Sequence, residues 1–326
     1  MLGVIQFVIL LCGVAISFFP DDVERIWRSS ATLPQGDASL KDVIPAACHS
    51  HNDYWRPIPF FSAITSGCIS IEADVWLIDN ELYVAHARSE IEPDRTLRGL
   101  YIDPIVELLD SKNPASKYYP NTSPRGIFDT RPDQPLALLI DFKSDGAETW
   151  PYVVSQLSPL RDRGYLTYYN GAEIVARPVV VVVSGNAPFD SLTSNTTYRD
   201  IFYDAPLARI DHKGPPLSPM PAFRNPPQHI ITTREAYNPT NSYYASASYK
   251  KSVGFPWLFP IMSWQLERIR AQINSAHRRG LKVRYWGIPS WPRRLRDHIM
   301  SILEKEGVDV LNVDDLNSVT FKGSAT

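Results

Sequence analysis

Short apolar runs that end in polar or charged residues recur along the chain, separated by stretches of helical period. Leu136-Ala-Leu-Leu-Ile-Asp-Phe-Lys143 and Pro178-Val-Val-Val-Val-Val-Ser184 predict strands buried on both faces, with their C-terminal ends at a polar rim. Val43 to Cys48 is the first strand of the series. Ile69 to Trp76 alternates, placing Ile69, Ile71, Ala73 and Val75 on one face and Ser70, Glu72, Asp74 and Trp76 on the other. Asp79-Asn80 turns the chain, and Leu82 to His86 returns as a hairpin partner. Ile201 to Asp204, Lys282 to Trp286 and Val308 to Val313 supply further strands.

Between them the period becomes helical. Pro57 to Thr65 opens on proline and stops before Gly67, the expected asymmetry of a helix. Tyr101–Leu109, Glu148–Leu157, Trp264–Arg279 and Pro292–Glu306 are the other helices. The Pro- and Asn-rich segments 112–135 and 212–245 read as loops. Strands alternating with helices argue for a parallel sheet, and six or more such units favour a closed (β/α) barrel over an open sheet. No Gly-rich phosphate loop follows the first strand, which weighs against a nucleotide-binding open sheet.

Composition narrows the class. In 326 residues, 44% are hydrophobic and 21% charged, the profile of a globular protein. Basic and acidic residues number 33 and 35, with no long run of one sign, so nucleic acid is not an expected partner. One domain, 43–326, is expected after a polar linker at 20–42.

Residues 1–19 stand apart. Gly3 to Phe19 is an uncharged apolar run with small residues at Ala15 and Ser17, so a signal peptide is expected, with an uncleaved anchor or a buried helix as alternatives. The expected location is the secretory pathway, either secreted or held on a membrane by this run. The sequons at Asn121 and Asn195 suit that route and would make the chain a glycoprotein. Cys48 and Cys68 flank core strands. They are read as two buried free thiols in preference to a disulfide.

The chemistry concentrates between Cys48 and His86. This window holds three of the seven histidines, with Asp53, Glu72 and Asp74. Active groups of a (β/α) barrel sit at the C-terminal ends of its strands. His49 and His51 follow the first strand, Glu72 and Asp74 share a face of the second, His86 ends the third, and Asp141 and Lys143 end the fourth. Glu72, Asp74 and Asp141 offer carboxylate oxygens that suit Mg²⁺ or Ca²⁺. Two histidines over such an ion would divide the proton work. Trp76, Trp264 and Trp286 are expected in the core, and His212, His229, His277 and His298 are expected to be structural.

The combination of His, E-x-D, His and D-x-K resembles the phospholipase C-like phosphodiesterases, the (β/α)8 TIM-barrel superfamily of the glycerophosphodiester phosphodiesterases. Within it, His49-Ser-His-Asn-Asp-Tyr54, Ser70-Ile-Glu-Ala-Asp-Val75, Val84-Ala-His86, Leu281-Lys-Val-Arg-Tyr-Trp286 and Leu311-Asn-Val-Asp-Asp-Leu316 are similar to the fungal family called altered inheritance of mitochondria protein 6. The resemblance implies catalytic roles for His51 and His86, metal ligation by Glu72, Asp74 and Asp141, and substrate contacts from Lys143 and Trp286. His49 competes with His51 for the first role, and spacing favours His51. Ala87 stands where many relatives have aspartate after the second histidine. The implied activity is hydrolysis of a glycerophosphodiester or phospholipid head group, and the family name adds a mitochondrial connection. A non-catalytic lipid-binding barrel is the alternative, motivated by the apolar N-terminus and by Tyr243, Tyr244, Tyr249, Phe255 and Trp257 in a presumed loop at 237–257.

Overall fold

A computed structural model describes residues 40–114, 123–210, 237–254 and 261–316. Residues 1–39, with the expected signal segment and most of the linker, lie outside the described residues, as do Asn121, His212, His229, Phe255 and Trp257. Among the described residues no helix is long and apolar enough to cross a membrane.

The strands are β1 (Ala46–Ser50), β2 (Cys68–Ile78), β3 (Glu81–Val84), β4 (Leu136–Phe142), β5 (Tyr168–Tyr169), β6 (Ile174–Val175), β7 (Val179–Gly185), β8 (Ile201–Pro206), β9 (Ser242–Ser248), β10 (Lys282–Trp286) and β11 (Val310–Val313). Their order is β1-β11-β10-β9-β8-β7-β4-β2-β3, and β1 also pairs with β2. Eight parallel strands therefore close on themselves, and only β3 joins antiparallel, as the hairpin partner of β2. This is the (β/α)8 barrel. β5 and β6 form a separate small ribbon.

Strand parity builds both layers of the core. On β4, Leu136, Leu138, Ile140 and Phe142 pack outward into the main apolar cluster, with the outward-facing Ile71, Ala73 and Val75 of β2. Ala137 and Leu139 share parity with Val180, Val182, Phe202, Tyr244 and Val310, and these plug the barrel interior. Val179 to Val183 are each at most 2% exposed, about 2 kcal/mol of burial apiece. The same inward parity continues upward into Asp141 on β4, Ser184 on β7 and Asp204 on β8. The interior thus changes from apolar to polar along each strand, and that change creates the site.

Helices run Pro59–Thr65, Asp103–Lys112, Gly146–Gln156, Ser263–His277 and Arg293–Lys305. Asp145 starts the third of these by accepting a hydrogen bond from the Glu148 amide at 3.0 Å. Pro59, not Pro57, occupies the first turn of the first. Two expectations need correction. β1 extends to Ser50, so His49 lies within the strand and not after it. β9 occupies part of the presumed loop, because its Ser-Tyr-Tyr-Ala-Ser-Ala-Ser sequence has none of the branched residues that announce a strand. Tyr244 and Tyr249 are consequently buried and form no surface aromatic loop.

Candidate active site

Two carboxylates two residues apart on β2 organise the mouth of the barrel. Glu72 and Asp74 point inward, and each faces a histidine at the mouth: His51 Nε2 lies 3.8 Å from Glu72 Oε2, and His86 Nδ1 lies 3.6 Å from Asp74 Oδ2. His51 is presented by the tight turn after β1. Asn52 makes that turn in the left-handed region at φ 46°, which asparagine tolerates, and its amide donates to Glu72 Oε2 at 3.3 Å. His86 follows β3 and rests against the Trp55 ring, with centroids 5.3 Å apart.

His49 is a different kind of residue. It is fully buried, with Nδ1 at 2.7 Å from Ser70 Oγ and Nε2 at 3.2 Å from Glu72 Oε2. Burial, helped by the Arg284 charge, pushes its pKa down to about 4, so the ring is neutral. A neutral ring accepts from Ser70 at Nδ1 and donates from Nε2 to Glu72, while Tyr244 donates to Ser70 at 3.0 Å. This relay aims Glu72. Although burial opposes ionisation of Glu72, the His49 hydrogen bond and the nearby cations hold it well below the usual carboxylate range.

Asp74, Asp141 and Lys143 meet on the adjoining strands. Asp74 and Asp141 are register partners on β2 and β4, and Lys143 Nζ bridges them at 2.9 Å and 2.5 Å. Ser184 donates to Asp141 Oδ1 at 2.6 Å. β7 ends beside it at Gly185, φ 66°, where any Cβ would stand 2.6 Å from Phe142 O and 2.8 Å from Asp141 Oδ1. Burial and the Glu72 charge push Asp74 up to about 7, against the pull of Lys143. Burial disfavours the Lys143 ammonium, but Asp141 and Asp74 outweigh it and raise its pKa.

The donor chemistry of Glu72, Asp74 and Asp141 is that of a hard divalent cation, and Asp74 Oδ1 is buried without a hydrogen-bond partner. The ammonium now bridges Asp74 and Asp141. Among the described residues no three or more His, Cys, Asp or Glu side chains are grouped to hold a metal in this arrangement.

Several residues without an expected role complete the site. Tyr54 OH lies 2.8 Å from Asp74 Oδ2 and 3.3 Å from His86 Nδ1, tying that ring to its carboxylate. Asp314, just past β11, accepts from His51 Nδ1 at 2.7 Å. Burial disfavours protonated His51, but the Asp314 hydrogen bond and the Glu72 charge prevail and raise its pKa. Below the mouth, the buried Arg284 guanidinium reaches Ser246, Asn312 and Asp204 at 3.1, 3.0 and 3.2 Å. The motifs around Arg284 and Asp314 were visible in the chain, but only barrel closure brings β10 and β11 beside β1.

A family model, the AIM6-like phosphodiesterase domain, matches residues 37–204. The chain belongs to the AIM6-like phosphodiesterase family. An altered inheritance of mitochondria protein 6 homolog from Arthroderma benhamiae is 40% identical over 307 residues, covering 91% of this chain and 88% of that protein. Altered inheritance of mitochondria protein 6 from Eremothecium gossypii is 36% identical, covering 83% and 68%, and the Saccharomyces cerevisiae protein is 35% identical, covering 91% and 77%. No solved structure matches the chain. The matched phosphodiesterase segment carries both histidines, the three carboxylates and Lys143. Arg284, Asn312 and Asp314 lie beyond it.

Two further expectations are corrected. Cys48 and Cys68 form a disulfide, because neighbouring strands β1 and β2 place their Cα atoms 4.8 Å apart. Trp264 and Trp286 are 51% and 39% exposed and stand at the rim, outside the core.

Proposed function

We propose that the barrel hydrolyses phosphodiesters of the glycerophosphodiester or phospholipid head-group type by paired histidine acid–base catalysis. The observation that carries the reading is the matched pairing at the mouth, His51 with Glu72 and His86 with Asp74, beside an ammonium suited to phosphate. Because Asp314 accepts the Nδ1 proton of His51, Nε2 is left as the accepting nitrogen, and His51 is the general base. It takes the proton from the attacking oxygen as the new P–O bond forms. His86, held through Nδ1 by Tyr54 and Asp74, gives a proton from Nε2 to the departing alcohol as the old P–O bond breaks. Lys143 offers its ammonium to a phosphate oxygen, and Trp286 flanks the substrate.

Glu72, Asp74 and Asp141 would hold Mg²⁺ or Ca²⁺ once Lys143 turns to substrate. When bound, the ion supplies positive charge for the phosphoryl oxygens. The disulfide and the apolar run at residues 3–19 support a location in the secretory pathway, since such bonds persist in oxidising compartments. The relatives' name supports a mitochondrial connection more weakly. The non-catalytic lipid-binding reading loses the support of Tyr244 and Tyr249, which are buried.

The test is a phosphodiester panel in excess Mg²⁺ or Ca²⁺, with products followed by phosphorus NMR. Substituting His51→Ala or His86→Ala is expected to lower turnover by about 10²-fold or more. Unchanged turnover in both variants would refute the assignment.

A further inference from the structure

The described residues include seven exposed large hydrophobic side chains: Ile44, Trp55, Tyr198, Met262, Trp264, Trp286 and Trp291. Ile44 and Tyr198 precede strands, but the other five follow the C-terminal ends of β1, β9 or β10. Those strands lie along one side of the barrel, in the order β1-β11-β10-β9. Trp55 is in the turn after β1, Trp286 ends β10, and Trp291 precedes the helix Arg293–Lys305. Met262 and Trp264 open the helix Ser263–His277. The Trp264 ring lies beside Gly254, within 3.6 Å of where a Cβ there would stand, so it is close to the short helix Tyr249–Ser252 that follows β9.

Core packing does not explain this placement. Trp264 and Trp291 are each 51% exposed, and Met262 is 62% exposed. Tryptophan combines a wide apolar ring with an N–H that stays hydrated, the combination that favours the boundary between lipid tails and headgroups.

Exposed cations gather on the same side. Lys250 and Lys251 are exposed on the short helix after β9, and Arg293 and Arg294 are exposed next to Trp291. Among the described residues none of the four makes an ion pair, and neither 249–254 nor 286–294 contains an acidic residue. Of the acids close to these residues in the chain, Asp314 pairs with His51, and Asp297 and Asp315 with Arg296, while Glu267 is exposed one turn after Trp264. On a chain with net charge -2, this concentrates cations where the aromatic rings are. Each cation at an anionic membrane surface contributes about 1 kcal/mol, roughly fivefold in affinity.

We propose that this side of the barrel mouth is a docking face for an anionic phospholipid bilayer, with Trp264, Trp291 and Met262 entering the interface and Lys250, Lys251, Arg293 and Arg294 on the headgroups. It is separate from any attachment through residues 1–19 and does not depend on turnover. Because Trp55, exposed on this side of the barrel, rests against His86, docking would turn the mouth toward the headgroups.

The test uses the full chain with phosphatidylcholine vesicles, with and without phosphatidylserine, in the presence of chelator so that nothing is hydrolysed. Binding is read by cosedimentation, and ring insertion by the blue shift of tryptophan emission. The wild type is expected to bind the phosphatidylserine vesicles preferentially, with a blue shift. Trp264→Ala with Trp291→Ala is expected to lose most of that shift and at least tenfold in affinity. Replacing the four cations by alanine should remove the preference for phosphatidylserine. Both variants should keep wild-type melting and wild-type rates on a water-soluble diester. The proposal is overturned if the wild type shows no preference for phosphatidylserine, or if the double tryptophan variant keeps both shift and affinity. A chain that binds in this way yet hydrolyses no diester would refute the catalytic reading and leave the docking face standing.

Discussion

His51 and Asp314 are 263 residues apart in the chain, yet His51 Nδ1 and Asp314 Oδ1 stand 2.7 Å apart. The contact exists because β1 pairs with β11 when the barrel closes, with His49 opposite Asn312 and Ser50 opposite Val313. Closure therefore does more than bury strand edges. It delivers the carboxylate that orients the first histidine.

Asp314→Asn is expected to lower kcat by about 10- to 100-fold with little change in KM, since the residue acts through His51 and does not touch substrate. Asp314 favours protonated His51, so its loss lowers the His51 pKa. The limb of the pH–rate profile belonging to His51 should move to lower pH. An unmoved limb would reduce Asp314 to a structural residue.

Lys143 now links Asp74 and Asp141, so its removal leaves two carboxylates facing each other. Lys143→Ala is expected to melt at lower temperature than the wild type in chelator, because like charges are then unscreened. Added Mg²⁺ or Ca²⁺ should restore more stability to this variant than it adds to the wild type, since a ligand of the native state stabilises it by mass action. Thermal unfolding of both proteins with and without each ion checks this. Equal responses would argue against a cation site at these carboxylates.

Asp53 supplies a pH dependence of stability. It is fully buried after β1, accepts from Ser50 at 2.5 Å, lies 3.7 Å from Arg56 and leaves Oδ2 without a partner. Burial pushes its pKa up to about 6, with Glu72 acting in the same direction and Arg56, Ser50 and Tyr101 against it. A carboxyl raised in the folded state contributes stability that is complete below its unfolded pKa, near 4, and is lost as pH rises through about 6. Relative to the wild type, Asp53→Asn should therefore gain up to about 3 kcal/mol between pH 4 and pH 7. Urea unfolding at both pH values measures the gain. A difference that does not vary with pH would mean that Asp53 ionises in the fold as freely as in the unfolded chain.

Much of the barrel was legible because its strands differ in how they are buried. β4 and β7 are covered on both faces and are continuous apolar runs, and β10 falls on the residues the pattern indicated. β9 was hidden because beyond Tyr244 its inward face is small and polar: Ser246 hydrogen-bonds Arg284, and Ser248 caps the short helix that follows. The two histidines, the acids of β2 and the D-x-K pair lie near one another in sequence or end obvious strands. Asp314 and Arg284 act through contacts made on closure, and Tyr54 through contacts with Asp74 and His86, and no local period marks any of them. Cys48 and Cys68 gave no sign of pairing for the same reason, since the distance between them depends on the register of β1 against β2.

Arg284 tests how far the polar interior depends on one cation. The side chain is 3% exposed and binds Asp204, Ser246 and Asn312, each from a different strand. Burial disfavours its charge, but Asp204 and Glu72 outweigh that and raise its pKa. In Arg284→Met the buried Asp204 carboxylate loses its counter-charge, and breaking such a pair costs about 3–5 kcal/mol. Adding Asp204→Asn should recover a large part of the loss, because a neutral amide tolerates the interior better than an unpaired carboxylate. Chemical unfolding of the two single variants and the double variant forms a cycle whose coupling is expected to exceed about 1 kcal/mol. If the two effects simply add, the Arg284–Asp204 pair is not what holds β8 and β10 together inside the barrel.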